Sequence, residues 1–439
     1  MKTFDFRLWF AFLLISLIPA TLNLIRLHFI GNMPNEWGFN IASQIQWLNI
    51  GYEVIQEAFL IPLFFMLANA QKHGETHFHR NAAQGFTLIS GVYLLLSVLI
   101  FVFAEHLLAH LKQTPHLIAD TGVYIRLESV AIMCSIATEY LIVYLAVNRN
   151  YKDIILFSII KTALLLVSDC LLVADNRFSL QMGVNGIAVS NILINGLLTL
   201  FLIFKTNMFP FFQRNNWIWD KAWFKQWFHL GAFSGLESFV RNAVFALMIL
   251  RMVNEVGEQG AYWIANSIIW GFLLAPALAL SEVVKRDVAA DVNHIRTHTS
   301  FYLKLTALFC AVWLLSMPFW AWFVQYAVQT DQSQTVVKIM FLQTVFYLSF
   351  MFNYSVFDAT LKGLGLTRYM LYQSIWINIV YYGLVFALYY FDTIKINLIS
   401  ISLIFGIGML LDMIPTWYLY QRALHSHGLK FADCFRTKP

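Results

Sequence analysis

The chain has 439 residues, of which 59% are hydrophobic, 17% aromatic and only 12% charged, with a formal net charge of +5; its mean hydropathy is +0.64. Soluble domains carry charge at about a quarter of their positions, so this composition excludes a soluble globular protein and points to an integral membrane protein. The four cysteines, Cys134, Cys170, Cys310 and Cys434, show no metal-ligand spacing and no evident pairing.

Twelve apolar runs long enough to cross a hydrocarbon core as helices follow one another. Their length and continuity exclude the short alternating strands of a barrel. The first, residues 8–31, exceeds a signal-peptide core and lacks a small-residue cleavage site, so it stays as a span. It contains Pro19, followed by Asn23 and Arg26, which makes Pro19 a hinge candidate. The second run, 43–70, places Glu53 and Glu57 four residues apart on one face and then Pro62. The third is 84–108. The fourth, 120–147, carries Glu128 and Glu139 about three turns apart. The fifth, 152–173, carries Lys161 and Asp169, and the sixth is 182–208.

Residues 205–225, "KTNMFPFFQRNNWIWDKAWFK", form a basic and aromatic connection that divides the spans six and six. The seventh run, 222–254, accepts Glu237 and Arg241 one turn apart, and the eighth, 259–283, holds Pro276. The ninth is 300–325, with Pro318. The tenth, 335–361, carries Tyr354 and Asp358 four apart. The eleventh and twelfth are 369–391 and 395–422, the last with Asp412 and Pro415.

With the N-terminus inside, the loops on its side hold nineteen Lys and Arg, and the opposite loops hold three, Lys112, Arg177 and Lys395. Basic residues near span ends stay in the cytoplasm, so both termini are expected there. The same residues explain the net charge through contact with anionic lipid, and no nucleic-acid partner is expected. The chain is expected to be a monomer in the plasma membrane, the inner membrane in a bacterium.

The two halves show an internal repeat. "EAFLIPLFFMLANAQ" resembles "WGFLLAPALALSEVV", setting Pro62 against Pro276, and "TEYLIVYLAVNRNY" resembles "FDATLKGLGLTRY", setting Glu139 against Asp358. Both halves start on one side of the membrane, so the repeats are parallel, as in transporters whose two bundles move against each other. The expected organisation is an N-terminal six-helix lobe over 1–204, a cytoplasmic linker over 205–225 and a C-terminal six-helix lobe with a short tail over 226–439.

Charge inside a membrane is costly, about 2.5 kcal/mol or more per residue at the centre, so such residues are paired, hydrated or functional. The spans carry Arg26, Glu53, Glu57, Glu139, Lys161, Asp169, Glu237, Arg241, Asp358 and Asp412, with Glu128 nearer the outer side. The acids outnumber the bases. Static ion pairs gluing helices together explain some of them, Glu237 with Arg241 among these, and the surplus carboxylates would hold a raised pKa or await a cation.

Four stretches resemble the multidrug and toxic compound extrusion (MATE) family, within the superfamily that also contains polysaccharide and lipid-linked precursor flippases. These are "IPATLNLIRLHFIGNM", "SDCLLVADNRFSLQMGVNGIAVSN", "LGAFSGLESFVRN" and, the closest match, "YSVFDATLKGLGLTR". The resemblance implies an all-α integral membrane fold of twelve transmembrane helices in two pseudo-symmetric six-helix bundles around a central cavity. It implies a secondary active antiporter that exports amphipathic organic compounds in exchange for Na+ or H+, with no other cofactor and no resident metal. Residue by residue it implies a second-half cation site of Glu237, Tyr354 and Asp358, with Asp169 in the first-half site. Asn23, Arg26, Glu53, Glu57, Glu139, Lys161 and Arg241 would be the polar lining of the cavity. Two positions depart from the family pattern. Arg26 stands where an aspartate is common, and Asn191 where threonine is. Either coupling rests wholly on the second half, or the first half has become an anion-binding surface.

Two other functions compete. A flippase of lipid-linked precursors needs a cationic lining, against which the surplus of acids argues. A membrane enzyme would use the loop "QKHGETHFHR", with His73, His77 and His79 as metal ligands, but no second cluster completes a metal site and no catalytic motif occurs elsewhere. The expectation is therefore a transporter, not an enzyme.

Overall fold

The computed structural model describes residues 4–33, 37–71, 74–147, 151–205 and 220–435; His73 and most of the expected linker, 206–219, lie outside them. The fold is all-α, with no strand among the described residues. The principal helices are α1 (Phe6–Gly31), α2 (residues 45–71), α3 (Glu75–His110), α4 (Ile118–Val147), α5 (Tyr151–Leu172) and α6 (Val184–Lys205). They are followed by α7 (residues 221–255), α8 (residues 259–290), α9 (Asn293–Val328), α10 (Ser333–Gly363), α11 (residues 367–390) and α12 (Leu398–Ser426).

Among the described residues, nine helices are long and apolar enough to cross a membrane: α1, α3 to α6 and α9 to α12. α7 and α8 qualify as bent pairs, broken by 44° and 50°. α2 is helical across the remaining expected span, with Glu53 and Glu57 at its middle. Helix α3 starts at Glu75, nine residues before the expected apolar run, because nothing in "ETHFHRNAA" breaks a helix and Gly74, at φ 103°, supplies the turn that admits it. Asp220 caps α7 through the amides of Ala222 and Trp223, and Asn397 and Ser400 form a reciprocal capping box on α12.

Several helices widen locally into π turns. Two of these turns, Gln56–Leu60 and Ile269–Leu273, come just before Pro62 and Pro276, the prolines that the internal repeat sets against each other. A proline ring clashes with the carbonyl four residues back and gives it no hydrogen, and widening the preceding turn relieves the clash. Pro19, by contrast, sits inside an unbroken α1.

The chain divides into two compact units, residues 29–260 and residues 1–28 with 261–439. Each unit holds six of the helices, but α7 joins α2 to α6, and α1 up to His28 joins α8 to α12. That composition differs from a division at 205–225, and the contacts inside each unit explain it.

In the unit 29–260, α7 lies against α2 through "GAFSG". A Cβ at Gly231 would overlap the carbonyl oxygen of Ala58, and one at Gly235 would come within 2.5 Å of the Ala58 Cβ. Two glycines four apart let helix backbones touch in a lipid environment. Ala58 is also the residue four before Pro62, which has no amide hydrogen to give its carbonyl. Elsewhere in this unit α4 packs between α3 and α6. Tyr140 is fully buried there and donates to the Ala82 carbonyl.

In the other unit, α1 is pinned by Trp9, whose indole donates to the Pro276 carbonyl at 3.1 Å and stacks on Phe309. At the other end of α1, the His28 ring nitrogen meets the Ala327 carbonyl at 2.9 Å. α12 approaches α10 and α11 through Gly406 and Gly408, where a side chain would overlap Phe346 and Tyr382. A folded tail segment, Phe431–Phe435, closes over this unit with Phe431 packed edge-on against Trp417.

Candidate functional site

The glycine contact sets α7 running antiparallel along α2, so residues beyond Gly235 meet residues before Ala58. Arg241 therefore reaches three carboxylates. Its guanidinium donates to Glu53 at 3.1 Å, to Glu57 at 3.1 Å and to Glu237, one turn back on its own helix, at 3.3 Å. Arg241 and Glu53 remain 41% exposed at the side chain, and Glu57 and Glu237 about a quarter, so an ion or solute can reach the cluster. With every group ionised, one positive charge faces three negative ones. The residue that lets a helix tolerate Glu237 is thus shared with another helix. Such a cluster offers several carboxylate oxygens, the ligand type a hard cation prefers.

A second cluster lies one helical position away. Gln56, next to Glu57, donates to Glu139 of α4 at 2.8 Å, and Glu139 also accepts from Ser135 at 3.2 Å and Tyr93 at 3.3 Å. Lys161 of α5 is close enough to interact with Glu139 electrostatically. Tyr93 stacks obliquely on Tyr52, whose hydroxyl meets Ser97 at 2.5 Å. Glu128, three turns away on α4, is buried elsewhere in the unit, where Asn191 donates to both its oxygens at 3.2 Å. Asp169 is fully buried on α5 beside Ser168, which accepts from Ser190 of α6 at 2.8 Å.

The unit of residues 1–28 and 261–439 holds the remaining expected site residues. Tyr354 and Asp358 fall in one π turn of α10, Asn353–Asp358, with Asp358 buried. Tyr354 stacks on Phe350, and Lys362 lies over its ring at 4.8 Å. Asn23 is exposed on α1 and Arg26 half-buried; Pro19 is exposed. The expected second-half cation set is thereby distributed, Glu237 in one unit and Tyr354 with Asp358 in the other.

No protein-family model matches the sequence, and no curated protein matches it either. Solved structures do match along almost the whole length. An inward-facing multidrug resistance MATE family transporter of the MOP superfamily superposes with a TM-score of 0.68 at 14% identity, covering 93% of this chain and 98% of that one. A mutant of the Vibrio cholerae MATE transporter VcmN gives a TM-score of 0.68 at 13% identity, covering 98% of both chains. An outward-facing MATE family transporter gives 0.66 at 15% identity, with 96% and 95% covered. The chain has the MATE transporter fold.

With that fold and its long apolar helices, this is a multi-pass membrane protein. Both ion clusters lie on helices that the sequence marks as spans. Sequence reading found the charged members of both clusters and missed their neutral partners. Gln56, Tyr93 and Ser135 carry no signal of their own, since amides, phenols and hydroxyls are common in spans. The glycine pair was legible: "GAFSG" inside an apolar run marks close helix packing. The partner of Asn191 was not, because Glu128 lies 63 residues before it on another helix.

Proposed function

We propose that this chain is a secondary active antiporter of the MATE kind, exporting amphipathic organic compounds in exchange for Na+ or H+ across the plasma membrane, with both termini in the cytoplasm. The observation that carries the reading is the Arg241 cluster, three carboxylates around one guanidinium on two apolar helices. A cation or proton bound at these carboxylates would change the charge balance that holds α7 on α2. The neighbouring Glu139 network, linked through Gln56 and Glu57 on one turn of α2, gives that change a route to α3, α4 and α5.

Two further points support transport rather than catalysis or lipid flipping. The named fold neighbours are multidrug transporters in inward-facing and outward-facing states, the two ends of an alternating-access cycle. The polar interior of the unit 29–260 is dominated by acids, which suit cationic ions and cationic amphiphiles and repel the phosphates of lipid-linked precursors.

The test is transport in proteoliposomes with sodium and pH gradients imposed separately. Uptake of a fluorescent organic cation driven by either gradient supports the reading and names the ion. Movement of a lipid-linked sugar with no ion-driven solute flux would replace it with the flippase.

A further inference from the structure

The turn between α5 and α6, residues 173–183 with the sequence "VADNRFSLQMG", takes no part in the sites described above. A helix leaves its last four carbonyls without partners in its own turns. At the end of α5 this turn takes up all four. The amides of Val173 and Ala174 donate to the Asp169 carbonyl at 2.8 and 3.1 Å. The Asn176 side chain donates to the Cys170 carbonyl at 2.8 Å. The amides of Leu180 and Met182 donate to the carbonyls of Leu171 and Leu172, each at 2.8 Å. The turn's own groups are tied in the same way: Asn176 Oδ1 accepts from the Phe178 amide, and Asp175 Oδ1 from the Gln181 side chain, both at 2.9 Å. In water, solvent would serve a helix end of this kind. Complete pairing within the chain is what a setting poor in water demands.

The side chains of the turn point the other way. Phe178 is 86% exposed, more than any other large apolar residue among the described ones, and Leu180 is 71% exposed. A turn that pairs its backbone and presents its apolar side chains has an apolar partner. We propose that this turn rests on the lipid bilayer, with Phe178 and Leu180 inserted at the boundary between headgroups and acyl chains.

Depth selects lipid over a protein partner. The bond from Leu180 to Leu171 brings the turn back beside the end of α5 rather than letting it rise away, and Leu171 belongs to the apolar span Ile154–Leu172. Leu180 therefore lies level with the last residues of a membrane span. The exposed apolar surface continues down the same face of α5 through Leu171, Val167 and Leu164, so one lipid-facing surface runs from the span onto the turn. Apolar side chains at this level gain by entering the acyl boundary, as on an interfacial helix. Arg177, exposed beside Phe178, has the reach and the charge to meet lipid phosphates. Because the turn also holds the carbonyl of Asp169, anchoring it fixes the depth of that end of α5.

The test is photocrosslinking of the full-length protein in phospholipid liposomes. The photoreactive residue p-benzoylphenylalanine is placed at Phe178 or at Leu180, the sample is irradiated, and the peptide carrying the probe is analysed by mass spectrometry. The same probe at Leu171 sets the yield for a residue on the span. Lipid adducts at 178 and at 180, in yields comparable to that at Leu171, are the expected result. Both side chains are exposed, so folding should be retained; size-exclusion elution checks it, and either position alone suffices if the other variant fails to fold. Absence of lipid adducts at both positions, while Leu171 gives them, overturns the proposal by placing the turn in water. Adducts to a second copy of the chain or to another protein, without lipid, overturn it equally.

Discussion

The Arg241 guanidinium lies 3.1 Å from Glu57, a residue 184 positions earlier in the chain, while its own helix offers it Glu237 one turn away. The pairing across helices is what makes α7 part of the unit built by α2 to α6. It also makes Arg241 a structural residue whose neutralisation is felt in three places.

Arg241→Gln leaves three carboxylates together without a cation and should lower stability by about 1–3 kcal/mol, a range reduced from the cost of breaking a buried pair because the cluster is partly open. Adding Glu57→Gln should restore part of that loss. A double-mutant cycle followed by thermal unfolding in detergent reads the coupling, and strictly additive effects would show that the two side chains do not depend on each other.

Gradient-driven transport should be lost in Glu237→Gln and in Asp358→Asn, with folding retained. Size-exclusion profiles and proteoliposome flux measured on the same preparations check it. Flux at the unaltered rate in both variants would remove these carboxylates from ion coupling.

Gly235→Leu should destabilise strongly, because its Cβ would meet Ala58 at 2.5 Å and the two backbones would have to part. Overpacking of this kind costs about 1–3 kcal/mol or more. Gly196→Leu on α6, where nothing lies within 4 Å of the added Cβ, is the matched control and should be nearly neutral. Comparison of melting temperatures in one detergent decides between a packing contact and a general intolerance of bulk.

In the tail, burial raises the pKa of the Cys434 thiol above its ordinary value. The thiolate is the reactive form, so maleimide labelling of a variant retaining only Cys434 should be slow at neutral pH and speed up as pH rises. The neutral thiol is favoured in the folded state, so its contribution to stability is present at neutral pH and fades as pH climbs past the raised pKa. Phe431→Ala, which removes the ring packed on Trp417, should accelerate labelling at every pH.

Much of the architecture was legible because a membrane span announces itself: each apolar run of the sequence lies on a helix, and α3 outran its expected start only where the chain leaves the apolar region. The charged residues were equally plain, since each violates its surroundings. Their pairing was not. Helical spacing predicts Glu237 with Arg241, but Glu53 and Glu57 join them only because Gly231 and Gly235 bring α7 onto Ala58. The partition of α1 and α7 likewise depends on contacts such as Trp9 with Pro276, which lie 267 residues apart. Neutral residues such as Gln56 and Tyr93 gave no warning, because an amide or a phenol in a span is unremarkable until its partner is seen.

The widened turn from Gln56 to Leu60 amounts to one residue more than a regular helix would use, inserted between the glutamates and Pro62. Were the same residues wound regularly instead, with none removed, Glu53 would swing about 100° around the helix relative to Pro62 and everything after it. The Gly231 and Gly235 contact and the reach of Arg241 could then no longer be satisfied together. Length and winding are thus tied together in a stretch of bland composition: relatives that keep this arrangement should either keep the widened turn or lack one residue there.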